Sequence, residues 1–113
     1  MARILFKNCR VWDGSGAASY PADVLVEGER IRAVAKQRGQ LEAAGADVIE
    51  ANGMTLMPGL VEGHAHITFI NATRATDIGD TPPEEHTLIA ARNARLLLDH
   101  GFTGAYSAAS AKL

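Results

Sequence analysis

With a single cysteine, Cys9, the 113-residue chain cannot close an internal disulfide. A disulfide scaffold is excluded, and a reducing compartment is the expected setting. Charge of either sign is also not in excess, since 11 Lys and Arg against 13 Asp and Glu leave a formal net charge of −2. Lacking a basic stripe to displace phosphate counterions, the chain is not expected to bind nucleic acid. No apolar run approaches the roughly 18 residues of a membrane span. Met1-Ala2-Arg3-Ile4-Leu5-Phe6-Lys7 returns to charge too early to form the apolar core of a secretory leader. Internal repeats and low-complexity tracts are absent. What is present is 47% hydrophobic and 21% charged, the balance of a chain that folds. A soluble, cytoplasmic protein is expected.

The first half reads as short strands separated by turns. Ile4-Leu5-Phe6 and Val11-Trp12 flank a polar step at Lys7-Asn8, and Asp13-Gly14-Ser15-Gly16 ends the run. Asp23-Val24-Leu25-Val26 and Arg30-Ile31-Arg32-Ala33-Val34 are joined by Glu27-Gly28-Glu29, the length of a hairpin loop. Residues 36–46 read as a loop with one turn of helix. Asp47-Val48-Ile49-Glu50 and Met54-Thr55-Leu56-Met57 are linked across Asn52-Gly53, a strong hairpin signal. Residues 1–57 therefore predict an antiparallel β layer.

The pattern changes at Pro58-Gly59. A short strand through Leu60–Ile67 precedes an aperiodic stretch from about Thr68 to Asp80, long enough to suggest function. A helix follows, with Thr81 as cap, Pro82 at its first position and Glu84 closing a capping box. Leu88, Ala91, Ala94, Arg95 and Leu98 form its stripe, with Ile89 and Leu96 beside it, and Gly101 stops it. Phe102 to Ala108 reads as a second strand. Strand, helix and strand in about fifty residues make a βαβ unit with parallel pairing. The fold class is thus α/β with an antiparallel β layer.

His64 and His66 are the candidate metal ligands. At i and i+2 on a strand both imidazoles leave the same face, about 7 Å apart along the chain. Two neutral nitrogens converging on a point suit a zinc-type ion, while a bare His-x-His also arises as two half-buried polar residues. Glu62 shares their parity and is the nearest carboxylate to fix an imidazole tautomer. His86 and His100 lie near the helix ends, where His100 suits a capping role against the helix dipole. Cys9 reads as a small buried hydrophobe, and Trp12 as core or interface packing. Arg74, Asp77 and Asp80 fall in the long loop, where a solvated surface is weighed against substrate contact.

Met57-Pro58-Gly59-Leu60-Val61-Glu62-Gly63-His64-Ala65-His66 resembles the metal-binding signature of the amidohydrolase superfamily. Val11-Trp12-Asp13-Gly14 with Ala22–Ile31 is similar to that family's amino-terminal β-sandwich portion. Leu97-Leu98-Asp99-His100-Gly101-Phe102-Thr103 is similar to its helix-to-second-strand junction. Imidazolonepropionase-like hydrolases and prolidase-type dipeptidases are the nearest in motif order. Two departures stand out. Glu62 replaces the usual Asp, and Gly104-Ala105-Tyr106-Ser107 replaces a more polar run.

The resemblance implies a β-sandwich portion at 1–57 and, at 58–113, the first βαβ unit of an incomplete (β/α)₈ TIM barrel. It implies a hydrolase of carbon–nitrogen bonds in amides, cyclic amides, carbamates or acyl-amino acids, working through a metal-activated water. The cofactor would be one or two divalent ions, zinc first, with His64 and His66 as ligands. A complete barrel takes about 250 residues, so the chain is expected to be an amino-terminal fragment, inactive alone, with a small molecule as substrate only when complete. Its open sheet edge and unpaired helix stripe suggest homo-oligomers. The alternative is a non-catalytic binding or assembly module derived from the hydrolase.

Overall fold

The computed structural model describes residues 2–68, 73–74 and 81–107. The chain divides into two compact units, Met1–Pro58 and Gly59–Leu113. The first unit holds β1 (Arg3–Val11), β2 (Tyr20–Glu27), β3 (Arg30–Ala35), β4 (Asp47–Glu50) and β5 (Thr55–Leu56). The second holds β6 (Leu60–Ala65), α1 (Pro83–Asp99) and β7 (Phe102–Ser107).

In the first unit the polar step at Lys7-Asn8 does not break the strand. β1 runs through it as a bulge, with Asn8 at φ 56° and the register against β2 shifting between Phe6 and Cys9. The bulge amide needs a partner, and Asp23, 1% exposed in the middle of β2, supplies one: its Oδ1 accepts from the Asn8 N–H at 2.8 Å. Its Oδ2 accepts from the Gly39 N–H at 2.9 Å. Residues 36–46, expected to include a turn of helix, contain only turns and bends. The β2–β3 hairpin forms as expected across Gly28-Glu29, with Glu27 opposite Arg30.

The hairpin expected at Asn52-Gly53 is not there. β4 and β5 both pair with β1, and both run parallel to it, so the layer is a five-stranded mixed sheet in place of an antiparallel one. Asn52 (φ 49°) and Gly53 (φ 84°) still make a tight turn, but the turn steps along β1. Ala51 N–H donates to Lys7 O, Gly53 N–H to Asn8 O and Arg10 N–H to Met54 O. β4 and β5 are therefore one edge strand, kinked where the bulge of β1 kinks.

The core of this unit gathers Cys9, Val11, Ala22, Val24 and Ala51. Cys9 is 1% exposed, and burial pushes its thiol pKa up, with the charges of Asp23 and Glu50 adding to the effect. Less thiolate at neutral pH and no access mean an inert side chain. In the folded chain a thiol reagent at pH 8 should label Cys9 on the order of 100-fold more slowly than in urea; equal rates would contradict its burial. Trp12, expected in core or interface packing, is 40% exposed and lines an apolar cavity of about 290 Å³ with Val11, Tyr20, Val34, Met57 and Pro58.

In the second unit β6 and β7 pair in parallel around α1, giving the expected strand–helix–strand unit. The helix starts one residue late. Pro83 takes the first position, and a residue preceding proline is driven to extended geometry. Pro82, at φ −56° and ψ 144°, therefore becomes the N-cap in place of Thr81. The buried stripe is also rotated from the expected one. His86, Ile89, Ala90, Asn93, Ala94 and Leu97 face inward, while Leu88, Leu96 and Leu98 are 73%, 50% and 57% exposed. No helix among the described residues is long and apolar enough to cross a membrane.

Candidate metal centre

β6 carries His64 near its carboxyl end, and His66 follows just beyond Ala65, the strand's last residue. Fully regular pairing would keep i and i+2 side chains about 7 Å apart. Here the β6–β7 register breaks between Glu62 and Ala65. The two rings lean together, with centroids 4.8 Å apart and planes at 79°. Their Nε2 atoms are 3.0 Å apart. His64 is exposed and His66 half-buried.

Two imidazole nitrogens at this distance need positive charge between their lone pairs, either one ring's N–H or a cation. A tetrahedral zinc ion with bonds of about 2.0–2.1 Å spans two nitrogens roughly 3.3 Å apart. The pair therefore needs to open by only a few tenths of an ångström to share one ion. The donor set, two neutral imidazoles, is also what zinc and its neighbours accept. These two residues fit as part of a ligand set. Among the described residues no group of three or more His, Cys, Asp or Glu side chains converges to hold an ion.

Glu62 shares a cavity of about 180 Å³ with both histidines. Its Oε1 accepts from the His64 backbone N–H at 3.0 Å. The carboxylate expected to fix an imidazole tautomer thus fixes the strand that carries His64. The small side chain of Ala65, 5% exposed, is buried between the two histidines in sequence.

The other candidates separate cleanly. His100 closes the helix, its Nδ1 2.8 Å from the Leu96 carbonyl and its N–H bonded to the carbonyls of Leu96 and Leu97. His86 is buried on the inner face of α1, and its Nε2 has no hydrogen-bond partner among the described residues. Arg74 is exposed, and Asp77 and Asp80 lie outside the described residues. Sequence reading overlooked Asn93, which is 5% exposed, lines the histidine cavity and donates through Nδ2 to the Ile67 carbonyl at 2.8 Å. The available signal was its place in the 86–90–93–97 stripe, where a polar residue interrupts apolar spacing.

No family model matches the chain. Among curated proteins it is 37% identical over 75 residues to a dihydroorotase of Streptococcus thermophilus, covering 66% of this chain and 17% of that protein. It is 35% identical over 88 residues to the Streptomyces coelicolor dihydroorotase, covering 70% and 19%. Among solved structures an amidohydrolase superposes with TM-score 0.84 and 29% identity over 95% of this chain and 25% of its own. A prolidase complexed with N-methylphosphonate-L-proline follows at TM-score 0.74 and 26% identity, covering 95% and 26%. The chain thus spans less than a third of the length of each of these proteins. With the His-x-His strand end, the strand–helix–strand unit and these likenesses in agreement, the chain belongs to the amidohydrolase superfamily.

Proposed function

We propose that the chain forms the opening part of a metal-dependent hydrolase of carbon–nitrogen bonds, in which residues 1–57 contribute a β-sandwich portion and residues 58–113 begin a (β/α)₈ barrel. One observation carries the reading: two imidazole nitrogens 3.0 Å apart at the carboxyl end of a parallel strand, the end at which barrel enzymes place their chemistry. His64 and His66 would hold a divalent ion, zinc first, through neutral Nε2 atoms. When bound, such an ion supplies Lewis acidity toward a carbonyl oxygen and lowers the pKa of water. Glu62 holds the strand under His64, and the cavity gives a small amide or cyclic amide access to the pair. The names of the relatives, dihydroorotase and prolidase, support amides and cyclic amides as the substrate class. Among the described residues two ligands converge where zinc sites use three or four, and the chain alone is expected to be inactive.

Zinc titration followed by calorimetry tests this. Wild-type chain is expected to take up zinc at a single site and to release no product from amides or cyclic amides. His64→Ala and His66→Ala should each weaken uptake by at least about 10-fold. Uptake unchanged in both variants would remove the metal reading.

A second reading, a non-catalytic assembly module, draws on exposed apolar side chains: Val61 at 71%, Leu88 at 73% and Leu98 at 57%. Exposed apolar side chains mark association surfaces where they are contiguous. A stable homo-oligomer by light scattering, with no histidine-dependent zinc uptake, would favour it over the hydrolase.

A further inference from the structure

We propose that Asn93 is a positioning residue for the His64–His66 pair: its side-chain amide, reaching from α1 to the Ile67 carbonyl, sets the direction in which the chain leaves β6 and so aims the His66 ring. For zinc affinity this rests on the hydrolase reading above; for ring geometry it stands on the structure alone.

A buried asparagine in a helix interior is unfavourable on two counts. Asn is a poor helix former, and an amide removed from water is costly unless hydrogen-bonded. At Asn93, 5% exposed, the bond to Ile67 O at 2.8 Å offsets that cost. The bond also joins chain segments 26 residues apart at a point where regular pairing has stopped. β6 ends at Ala65, the last paired position is Ala65 opposite Ser107, and Ile67-Thr68 form a turn. His66 lies between the last ladder pair and the turn. The residue before it, Ala65, is paired with β7, and the residue after it, Ile67, is held by the Asn93 amide. Rotating the Ile67 peptide would swing His66 away from His64, opening the 3.0 Å Nε2 separation. An asparagine is suited to this place because its N–H₂ donates to a carbonyl without adding charge beside a cationic ligand. Asn93 lines the same cavity as both imidazoles.

The test compares Asn93→Asp, which keeps the size but loses the donor, Asn93→Leu, which loses all polarity, and Ala91→Gly, which weakens α1 on its exposed face. Two readouts are taken on the 113-residue chain: the ring-to-ring nuclear Overhauser effect between His64 and His66 without metal, and zinc affinity by calorimetry. Both Asn93 variants are expected to lose the ring-to-ring effect and to bind zinc about 10- to 100-fold more weakly. Ala91→Gly should lower the melting temperature while leaving both readouts unchanged. Retention of the ring effect and of zinc affinity in both Asn93 variants would overturn the proposal, as would equal losses in Ala91→Gly. If wild-type chain takes up no zinc, the metal reading fails and the metal-free ring effect alone decides the role of Asn93.

Discussion

Replacing Gly59 with alanine is expected to destabilise the second unit by about 3 kcal/mol, at the upper end of what overpacking usually costs. A Cβ at Gly59 would lie 2.0 Å from Thr103 Oγ1, 2.3 Å from Cγ2 and 2.6 Å from Cβ. Rotating the threonine would clear the first two atoms. It would not clear the third, because Thr103 Cβ is fixed to the backbone of β7. Either strand must therefore shift, and the shift falls where the ladder begins, at Leu60 opposite Phe102 with Leu60 N–H bonded to Gly101 O at 2.8 Å. The Pro58-Gly59 and Gly101-Phe102-Thr103 motifs, more than forty residues apart, are two sides of one close approach. Thermal melting of Gly59→Ala should show a midpoint lower by at least about 10 °C. Thr103→Gly added to Gly59→Ala should recover more than half of that loss, while Thr103→Ala, which keeps the Cβ, should recover less. A Gly59→Ala chain melting within about 2 °C of wild type would show that the strands are not in tight contact there.

The sequence made strand positions legible because β-branched and apolar runs bury or expose themselves locally. It did not make strand partners legible. Asn52-Gly53 supplies the same positive φ angles to a hairpin and to a step along one neighbour, and only the bulge at Asn8 decides between them. The helix shows a similar divide. Its existence, its stop at Gly101 and the capping place of His100 were readable, but its start lies one residue later because Pro83 constrains Pro82, and the leucines do not mark its inner face. Leu88 and Leu98 attract attention through hydropathy. In the structure those two leucines are exposed, and the face turned inward mixes His86 and Asn93 with Ile89, Ala90, Ala94 and Leu97. For the histidines, the i, i+2 spacing gave the shared face, whereas their approach to 3.0 Å required the register break after Glu62. A break in pairing leaves no mark in one sequence.

Asp23→Ala is expected to remove about 3–5 kcal/mol from the first unit. The carboxylate accepts from the Asn8 N–H at 2.8 Å and the Gly39 N–H at 2.9 Å, and a hydrogen bond to a charged group contributes about 1.5–3 kcal/mol. Asn8 matters more of the two. Its amide belongs to the bulge, where β2 offers no ladder carbonyl, and its side chain is bonded to Glu50 on β4. Without Asp23 the amide is left half-buried and unsatisfied, and the bulge loses the group that holds it open at φ 56°. Because the kink between β4 and β5 follows that bulge, the loss spreads to the edge of the sheet. Asp23→Asn separates charge from shape. Its oxygen can still serve Asn8, but its N–H₂ then meets the Gly39 N–H donor to donor, so about half the destabilisation should remain. The only tryptophan, Trp12, stands just past the end of β1, so its fluorescence during urea unfolding reports on this unit directly. Unfolding midpoints ordered wild type, Asp23→Asn, Asp23→Ala are expected; equal midpoints for all three would mean that the bulge is held by the sheet alone, with the buried carboxylate contributing nothing.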